Sequence, residues 1–158
     1  MAEHGRAAER GGRPEREDLA AMMVPLGRAL MAAELPVLEQ HGLAMWAYSV
    51  LLRLEDEPVR TQSALAQSIG ADKTRIIGVL DDLERRRLIL RRPDPADRRV
   101  RLLSLTPEGR RLRDTVQSEI QHRENQLLAR LPAADRRGFL NALRALSALP
   151  PEEIAGRD

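Results

Sequence analysis

The 158-residue chain contains no cysteine, which excludes disulfide bonds, thiolate metal sites and cysteine-based redox sensing. Its three histidines (His4, His41 and His122) are scattered without the spacing of metal ligands, so we expect neither a metal site nor a cofactor. Aromatic residues make up only 2% of the chain, whereas hydrophobic residues make up 42%. The core must therefore be aliphatic, and the excess of leucine and alanine favours helices over sheet.

No uninterrupted run of 18 apolar residues occurs, and the N-terminal segment carries charges without an apolar stretch. From these absences we expect no membrane-spanning helix, no secretory signal and a cytoplasmic location. The sequence also offers no nucleophile–base pair in a recognisable frame, no phosphate-binding loop and no metal cluster. We therefore expect that the protein is not an enzyme.

Charge is distributed unevenly, although the net charge is only +2. Residues 60–113 hold 14 basic and 7 acidic residues, a net of +7, while the remainder holds 12 basic and 17 acidic residues, a net of −5. Of the 26 basic residues 25 are arginine, which the base composition of a genome could explain, but such a bias does not explain the segregation. A basic middle between acidic ends is typical of a module that binds phosphate.

The chain divides into five predicted segments. Residues 1–17 lack periodicity and alternate in charge, so we expect a disordered tail, with a basic arm that enters a DNA groove as the alternative. Residues 18–43 form an N-terminal helix, which Pro25 should kink or truncate, and Pro36 should precede the next helix. Residues 44–106 form a central domain, 107–150 two C-terminal helices, and 151–158 a second tail.

A helix-turn-helix pattern occupies the first half of the central domain. Thr61 should cap a short helix at Gln62–Ile69, and Gly70 should end it in left-handed geometry. Asp72 should cap a second helix that extends to about Arg87. Four apolar positions with helical spacing form its buried stripe: Ile76, Val79, Leu80 and Leu83. Two helices joined by a three-residue turn that contains glycine are typical of this motif.

A hairpin with a cationic tip follows directly. The apolar residues LIL lead in, PDPAD makes the turn, and VRLLSL leads back, with five arginines in residues 91–106. A hairpin in this position predicts the wing of a DNA-binding domain. Thr106, Pro107 and Glu108 then carry the signature of a helix start: a capping threonine, a proline at the first helical position and an acid.

The polar face of the second helix should enter the major groove, with Arg75 paired to guanine, Ile77 against a thymine methyl group and Gly78 permitting close approach. Arg99 and Arg101 should share one face of the wing, whose tip can reach the minor groove. A solvated helix face, or a rotated core for Ile77, is the alternative. The predicted DNA contacts are Thr61, Gln62, Ser63, Lys73, Thr74, Arg75, Ile77, Gly78, Arg98, Arg99 and Arg101. We expect Asp97 to orient a neighbouring arginine through a charge-assisted bond.

The string DRRVRLLSLTPEG resembles the wing signature of the MarR family of bacterial transcriptional regulators, D-x-R-x-x-x-x-x-L-T, which Asp97, Arg99, Leu105 and Thr106 fill. The resemblance extends over residues 20–149. It implies a mainly α-helical winged helix-turn-helix fold with a small β-hairpin wing, whose terminal helices form a homodimer on a pseudo-palindromic operator. One departure is Gly78, where recognition helices of the family commonly carry arginine, so the cationic contact moves to Arg75.

The apolar stripes of the terminal helices exceed what a domain of this size buries alone, so we expect a dimer interface, with intramolecular bundle packing as the alternative. The interface residues are Leu19, Met22, Met23, Leu26, Leu30, Phe139, Leu143 and Leu146. The resemblance also implies a small aromatic or anionic effector. Its predicted pocket is lined by His41, Met45, Trp46, Tyr48 and Arg53, unless Trp46 simply fills the core.

These observations favour a ligand-responsive regulator, more specifically a repressor, that binds double-stranded DNA sequence-specifically as a homodimer. The alternative is a winged-helix protein-interaction module without DNA binding. Arginines at positions 75, 98, 99 and 101 speak against this alternative, because a module that has lost DNA binding has no use for a cationic tip.

Overall fold

The computed structural model describes residues 15–54 and 60–156, and the chain divides into two units, Met1–Glu34 and Leu35–Asp158. The helices and strands, in chain order, are α1 (Leu19–Gln40), α2 (Met45–Arg53), β1 (Arg60–Thr61), α3 (Gln62–Ile69), α4 (Lys73–Arg85), β2 (Ile89–Pro93), β3 (Arg101–Leu105), α5 (Pro107–Leu128), α6 (Ala133–Ser147) and α7 (Pro151–Ile154). The expected fold class, mainly α-helical with a small wing, is confirmed. Residues 1–14 of the predicted N-terminal tail lie outside the described residues.

Helix α1 is more continuous than the sequence predicted. It begins at Leu19 and continues through Pro25 and Pro36, so the alternative that Pro25 marks the start of the helix is wrong. A proline removes one backbone donor, and the hydrogen bonds of the other residues keep the helix continuous. The helix ends at Gln40; Gly42, two residues later, has a φ of +61°, and the Leu43 N–H donates to the Leu38 carbonyl at 2.9 Å. This closing bond and the left-handed glycine form a Schellman motif.

By length and composition alone, α1 is apolar enough to cross a membrane. An 18-residue window has a mean hydropathy of 1.4, and 11% of that window is buried. The expectation that no segment could span a membrane rested on uninterrupted runs, and it missed this helix because Arg28 and Glu34 interrupt it. One such helix is weak evidence for a membrane span, since an amphipathic helix in a protein interface meets the same criterion.

The helix-turn-helix forms with the predicted bounds. The Thr61 hydroxyl oxygen accepts a hydrogen bond from the Ala64 N–H at 3.1 Å and caps α3. Gly70 ends that helix with a φ of +67°, which costs glycine little because it has no Cβ. Asp72 caps α4. These local hydrogen bonds and the left-handed glycine define the start of each helix and the turn between them, independently of tertiary packing.

The wing belongs to a three-stranded antiparallel sheet with the strand order β1-β3-β2. In this sheet Leu103 of β3 lies between Arg91 of β2 and Arg60 of β1. Strand β1 was not predicted, because two residues are too short to show alternation. Strand β3 begins at Arg101, so Arg99 lies in the turn, and the expectation that Arg99 and Arg101 share one face of a strand is wrong.

An aliphatic core joins the helix-turn-helix to the sheet and to the first half of α5. Its fully buried side chains are Val37, Leu38, Val50, Leu51, Leu65, Ile76, Leu80, Leu83, Ile89, Leu103 and Val116. Apart from Tyr48, the buried core contains only aliphatic side chains among the described residues. At the other end of the chain, residues Pro151–Ile154 form one turn of helix where we expected a tail, because Pro151 and two acidic residues favour a helix start.

Candidate nucleic-acid interface

The outer face of α4 presents the residues predicted to contact bases. Thr74, Arg75 and Gly78 are exposed, and Ile77 has 45% of its surface accessible. Three buried side chains hold the opposite face against the core: Ile76, Leu80 and Leu83. The exposure of Ile77 excludes a rotated core as the explanation for its position. A Cβ added to Gly78 would meet no atom within 4 Å, so this glycine serves the outer surface and not the internal packing. The Lys73 side chain lies outside the described residues.

The N-terminus of α4 is occupied by Asp72. One carboxylate oxygen of Asp72 accepts the N–H groups of Thr74 at 2.6 Å and Arg75 at 3.1 Å. These two backbone bonds, that from Arg75 first, lower the pKa of the Asp72 carboxyl below its usual range. Two of the N–H groups that an uncapped helix N-terminus would offer to phosphate therefore bind this carboxylate.

At the start of α3, Thr61, Gln62 and Ser63 lie one after another. Ser63 is exposed, whereas Thr61 and Gln62 are half-buried. The Thr61 hydroxyl oxygen accepts the Ala64 N–H, and this bond leaves the O–H of Thr61 to act as a donor. A donor at this place suits a phosphate oxygen.

The turn of the wing is shaped by two aspartates. The Asp94 carboxylate accepts the Ala96 N–H at 2.8 Å, and the Asp97 carboxylate accepts the Arg99 N–H at 3.0 Å. The expectation that Asp97 holds an arginine side chain is corrected to this backbone bond, because a short carboxylate two residues back reaches an N–H more readily than a guanidinium. Arg98 and Arg99 remain exposed at the tip.

Arg91 of β2 joins the wing to α4. Its guanidinium pairs with Asp81, and its Nε lies 3.0 Å from a carboxylate oxygen of Glu84. The Arg91 side chain is 18% exposed, whereas Asp81 and Glu84 are 57% and 45% exposed, so the pairs are shielded from water on the arginine side only. The contacts predicted from the sequence did not include these pairs. The sequence pattern that indicates this contact is the spacing of Asp81 and Glu84. They lie three residues apart on one helix face, so one cation can pair with both.

Thr106 and Gly109 join the end of the wing to the start of α5. The buried Thr106 hydroxyl donates to the Arg87 carbonyl at 2.7 Å and accepts the Gly109 N–H at 2.9 Å. A Cβ on Gly109 would lie 1.9 Å from the Leu88 carbonyl oxygen. The sequence predicted the threonine cap, but it did not predict the close approach of α5 to the Leu88 backbone, which requires glycine three residues after the cap.

The five residues predicted to line an effector pocket have different surroundings in the structure. Tyr48 is buried in the core, and His41 Nε2 lies 3.1 Å from a Glu119 carboxylate oxygen. The Arg75 guanidinium carbon lies over the Trp46 ring, 5.7 Å from its centroid. Successive positions on a helix point about 100° apart, so Trp46 points away from Met45 and Tyr48, which lie three residues apart on one face.

Arg53 does line a cavity, of about 440 Å³, between α2, α3 and α5. The other lining residues are Ser49, Leu52, Ser68, Ile69 and Gln117. The lining includes none of the other four predicted pocket residues. One cationic side chain above apolar walls and a few hydroxyl and amide groups suits a small anionic molecule.

Both terminal regions expose apolar side chains in the isolated chain. In the first unit, between 42% and 53% of the surface of each of Leu19, Met22, Met23 and Leu26 is accessible, and Leu30 is half-buried. On α6, Phe139, Leu143 and Leu146 are 41%, 36% and 51% accessible. Apolar surfaces of this kind mark interaction sites. Within residues 15–54 and 60–156, no group of three or more metal-ligating side chains is placed to bind a metal ion.

Known proteins resemble this chain along most of its length. Residues 38–100 match the sequence model of the MarR family. A candidate transcriptional regulatory protein for the hcr operon of Thauera aromatica is 28% identical over 148 residues, which cover 85% of this chain and 89% of the relative.

Solved structures agree with this match. The transcriptional repressor CouR bound to a 23-mer DNA duplex is 28% identical, with a TM-score of 0.69 over 84% of this chain and 93% of that chain. CouR from Rhodococcus jostii RHA1 bound to p-coumaroyl-CoA gives the same identity and TM-score over 85% of this chain and 94% of that chain. The relatives are regulators and not enzymes, which confirms the expectation from the sequence. The chain therefore contains, at residues 38–100, a domain of the MarR family of winged helix-turn-helix transcriptional regulators.

Proposed function

We propose that this protein is a ligand-responsive repressor that binds a pseudo-palindromic operator as a homodimer in the bacterial cytoplasm. The observation that carries the proposal is the outer face of α4, which presents Arg75 and Ile77 and is joined to a cationic wing through Arg91. Helix and wing therefore meet DNA as one rigid element. CouR, which is similar over most of the chain, is a repressor that was crystallised on a DNA duplex, and this supports the same mode of binding here.

In this proposal α4 lies in the major groove. Arg75 donates two hydrogen bonds to guanine, Ile77 packs against a thymine methyl group, and the missing side chain of Gly78 lets the helix approach the sugar-phosphate backbone. The remaining contacts position the protein on phosphates or place arginine in the minor groove. The residues proposed to contact the DNA backbone are Thr61, Gln62, Ser63, Lys73 and Thr74. The wing arginines proposed for the minor groove are Arg98, Arg99 and Arg101. Asp97 keeps the wing turn in shape through the Arg99 N–H.

The homodimer would be formed by residues 18–43 and 107–150, with residues 44–106 as the DNA-binding region. The exposed apolar side chains of α1 and α6 supply the surface that a partner would cover. A two-fold axis would then place two α4 helices about one turn of DNA apart, which matches a palindrome.

The effector is proposed to be a small aromatic or anionic molecule. CouR was crystallised with p-coumaroyl-CoA, which is both aromatic and anionic. In this chain the cavity beside Arg53 offers one cation and a partly apolar lining, and it lies between α2 and α3 of the DNA-binding region and α5. A ligand bound there would change the distance between the two α4 helices of the dimer only if its affinity for the DNA-binding conformation differs from its affinity for a second conformation with another distance.

Genomic footprinting followed by binding measurements on the recovered site tests the proposal. We expect protection of a palindrome of two half-sites, and loss of binding when either half-site is scrambled. Protection without two-fold symmetry would contradict the dimer. Absence of a preferred DNA site would favour the alternative of a winged-helix module that binds proteins.

A further inference from the structure

The side chain of Arg75 does not project freely from α4. Its guanidinium carbon lies 5.7 Å from the centroid of the Trp46 ring, within the range of a cation–π interaction. Trp46 is half-buried near the start of α2, so the ring belongs to the body of the helix-turn-helix. The Arg75 backbone N–H is held at the same time by the Asp72 carboxylate at 3.1 Å. Backbone and side chain of Arg75 are therefore both held.

We propose that Trp46 is a positioning residue that fixes the orientation of Arg75 and thereby sets the sequence preference of the protein. This inference rests on the proposed function, since it concerns how Arg75 meets a base. It also assigns Trp46 to DNA specificity, whereas the sequence placed it in the effector pocket.

The chemistry of the guanidinium group permits both contacts at once. A planar guanidinium can direct its face to an aromatic ring while its N–H donors point outward in the plane. A bidentate pair with guanine uses those edge donors and leaves the face on the ring. Without the ring, the long side chain would have to be ordered when DNA binds, and this ordering costs affinity for the cognate site. Non-specific binding depends on phosphate contacts and would not change.

The test compares the operator with a scrambled duplex at one salt concentration, by fluorescence anisotropy of labelled DNA. We expect Trp46→Leu to weaken operator binding about two- to fivefold, the range of an exposed cation–π interaction, and to leave scrambled DNA unaffected. Trp46→Phe should lose less operator affinity than Trp46→Leu, because an aromatic ring remains at this position. In an Arg75→Ala background, Trp46→Leu should cause no further loss. An equal loss on both duplexes, or the same loss in that background, would overturn the proposal and leave Trp46 a packing residue.

A second measurement needs neither DNA nor a change at Trp46. This residue is the only tryptophan, so its emission reports the contact directly. We expect Arg75→Ala to change the intensity or the maximum of the emission of the folded protein. Arg85→Ala is the matched control, because Arg85 lies on the same helix and pairs with Asp82, and it should leave the emission unchanged.

The two measurements also separate the inference from the function on which it rests. If wild-type protein shows no preference for any operator, the proposed function fails and Trp46 cannot set a preference. If the operator binds but emission is unchanged by Arg75→Ala, the contact is absent in solution and only the inference fails.

Discussion

Gly109→Ala should destabilise the protein strongly through one atom. The added Cβ would lie 1.9 Å from the Leu88 carbonyl oxygen and 2.8 Å from the carbonyl carbon, whereas real Cβ contacts stay above 3.0 Å. Both obstacles are backbone atoms, so no rotamer change relieves the clash. The start of α5 must move away from Leu88. This movement opposes the bond from the Thr106 N–H to the Leu88 carbonyl at 3.1 Å, which ties the wing to α5.

The magnitude follows from two contributions. Overpacking in a closed site costs about 1–3 kcal/mol, and each strained hydrogen bond costs about 0.5–1.5 kcal/mol. We therefore expect a loss of roughly 2–4 kcal/mol in the free energy of unfolding, and a fall in Tm of roughly 5–15 °C for a chain of this size.

Thermal denaturation followed by circular dichroism, at equal protomer concentration for all variants, measures this change. Gly138→Ala is the matched control. Gly138 lies inside α6, and its added Cβ would meet no atom within 4 Å, so this variant should be neutral or up to about 1 kcal/mol more stable. A Gly109→Ala protein that melts within a degree of wild type would refute the close approach of α5 to Leu88.

Four further changes test the interface. Arg75→Ala should cost roughly 1–3 kcal/mol on the operator and relax the preference at one base pair per half-site, whereas uniform weakening on every sequence would make Arg75 a phosphate contact. Arg99→Ala should weaken binding and make its salt dependence less steep; unchanged affinity at matched salt would refute the wing assignment. Arg91→Met should free the wing, visible as faster proteolysis of the 94–100 turn, and equal cleavage of both proteins would argue against the ion pairs. Because the pKa of Asp72 is lowered on folding, its stabilising effect should be present near neutral pH and fade as the pH falls below about 4, so the Tm difference between wild type and Asp72→Asn should vanish in acid; a pH-independent difference would contradict the cap.

Much of the helix-turn-helix could be predicted because its signals are local. Thr61, Gly70 and Asp72 each cap or terminate a helix within three or four residues, so the sequence alone specifies where α3 begins and ends and where α4 begins. The threonine–proline–acid signature located the start of α5 for the same reason. Exposure of Ile77 also followed from periodicity, since the buried stripe of α4 leaves that position outward.

The features that escaped prediction depend on contacts between distant segments. Arg91 is ten residues from Asp81, and only the packing of β2 beside α4 brings them together. The pairing of β1 with β3 joins residues about forty positions apart. Trp46 and Arg75 were assigned to two different sites, because nothing in a sequence shows that a ring on α2 lies under a side chain on α4. Pro25 misled for a different reason: a single missing donor does not end a helix of 22 residues.

The salt dependence of operator binding tests the central claim most directly. A dimer that places two recognition helices and two cationic wings on DNA should contact about 6–10 phosphates, so the logarithm of the binding constant should fall against the logarithm of salt concentration with a slope of roughly −5 to −9. One dimer should bind per palindrome. A slope near zero, or equal affinity for the palindrome and a scrambled duplex, would contradict the account.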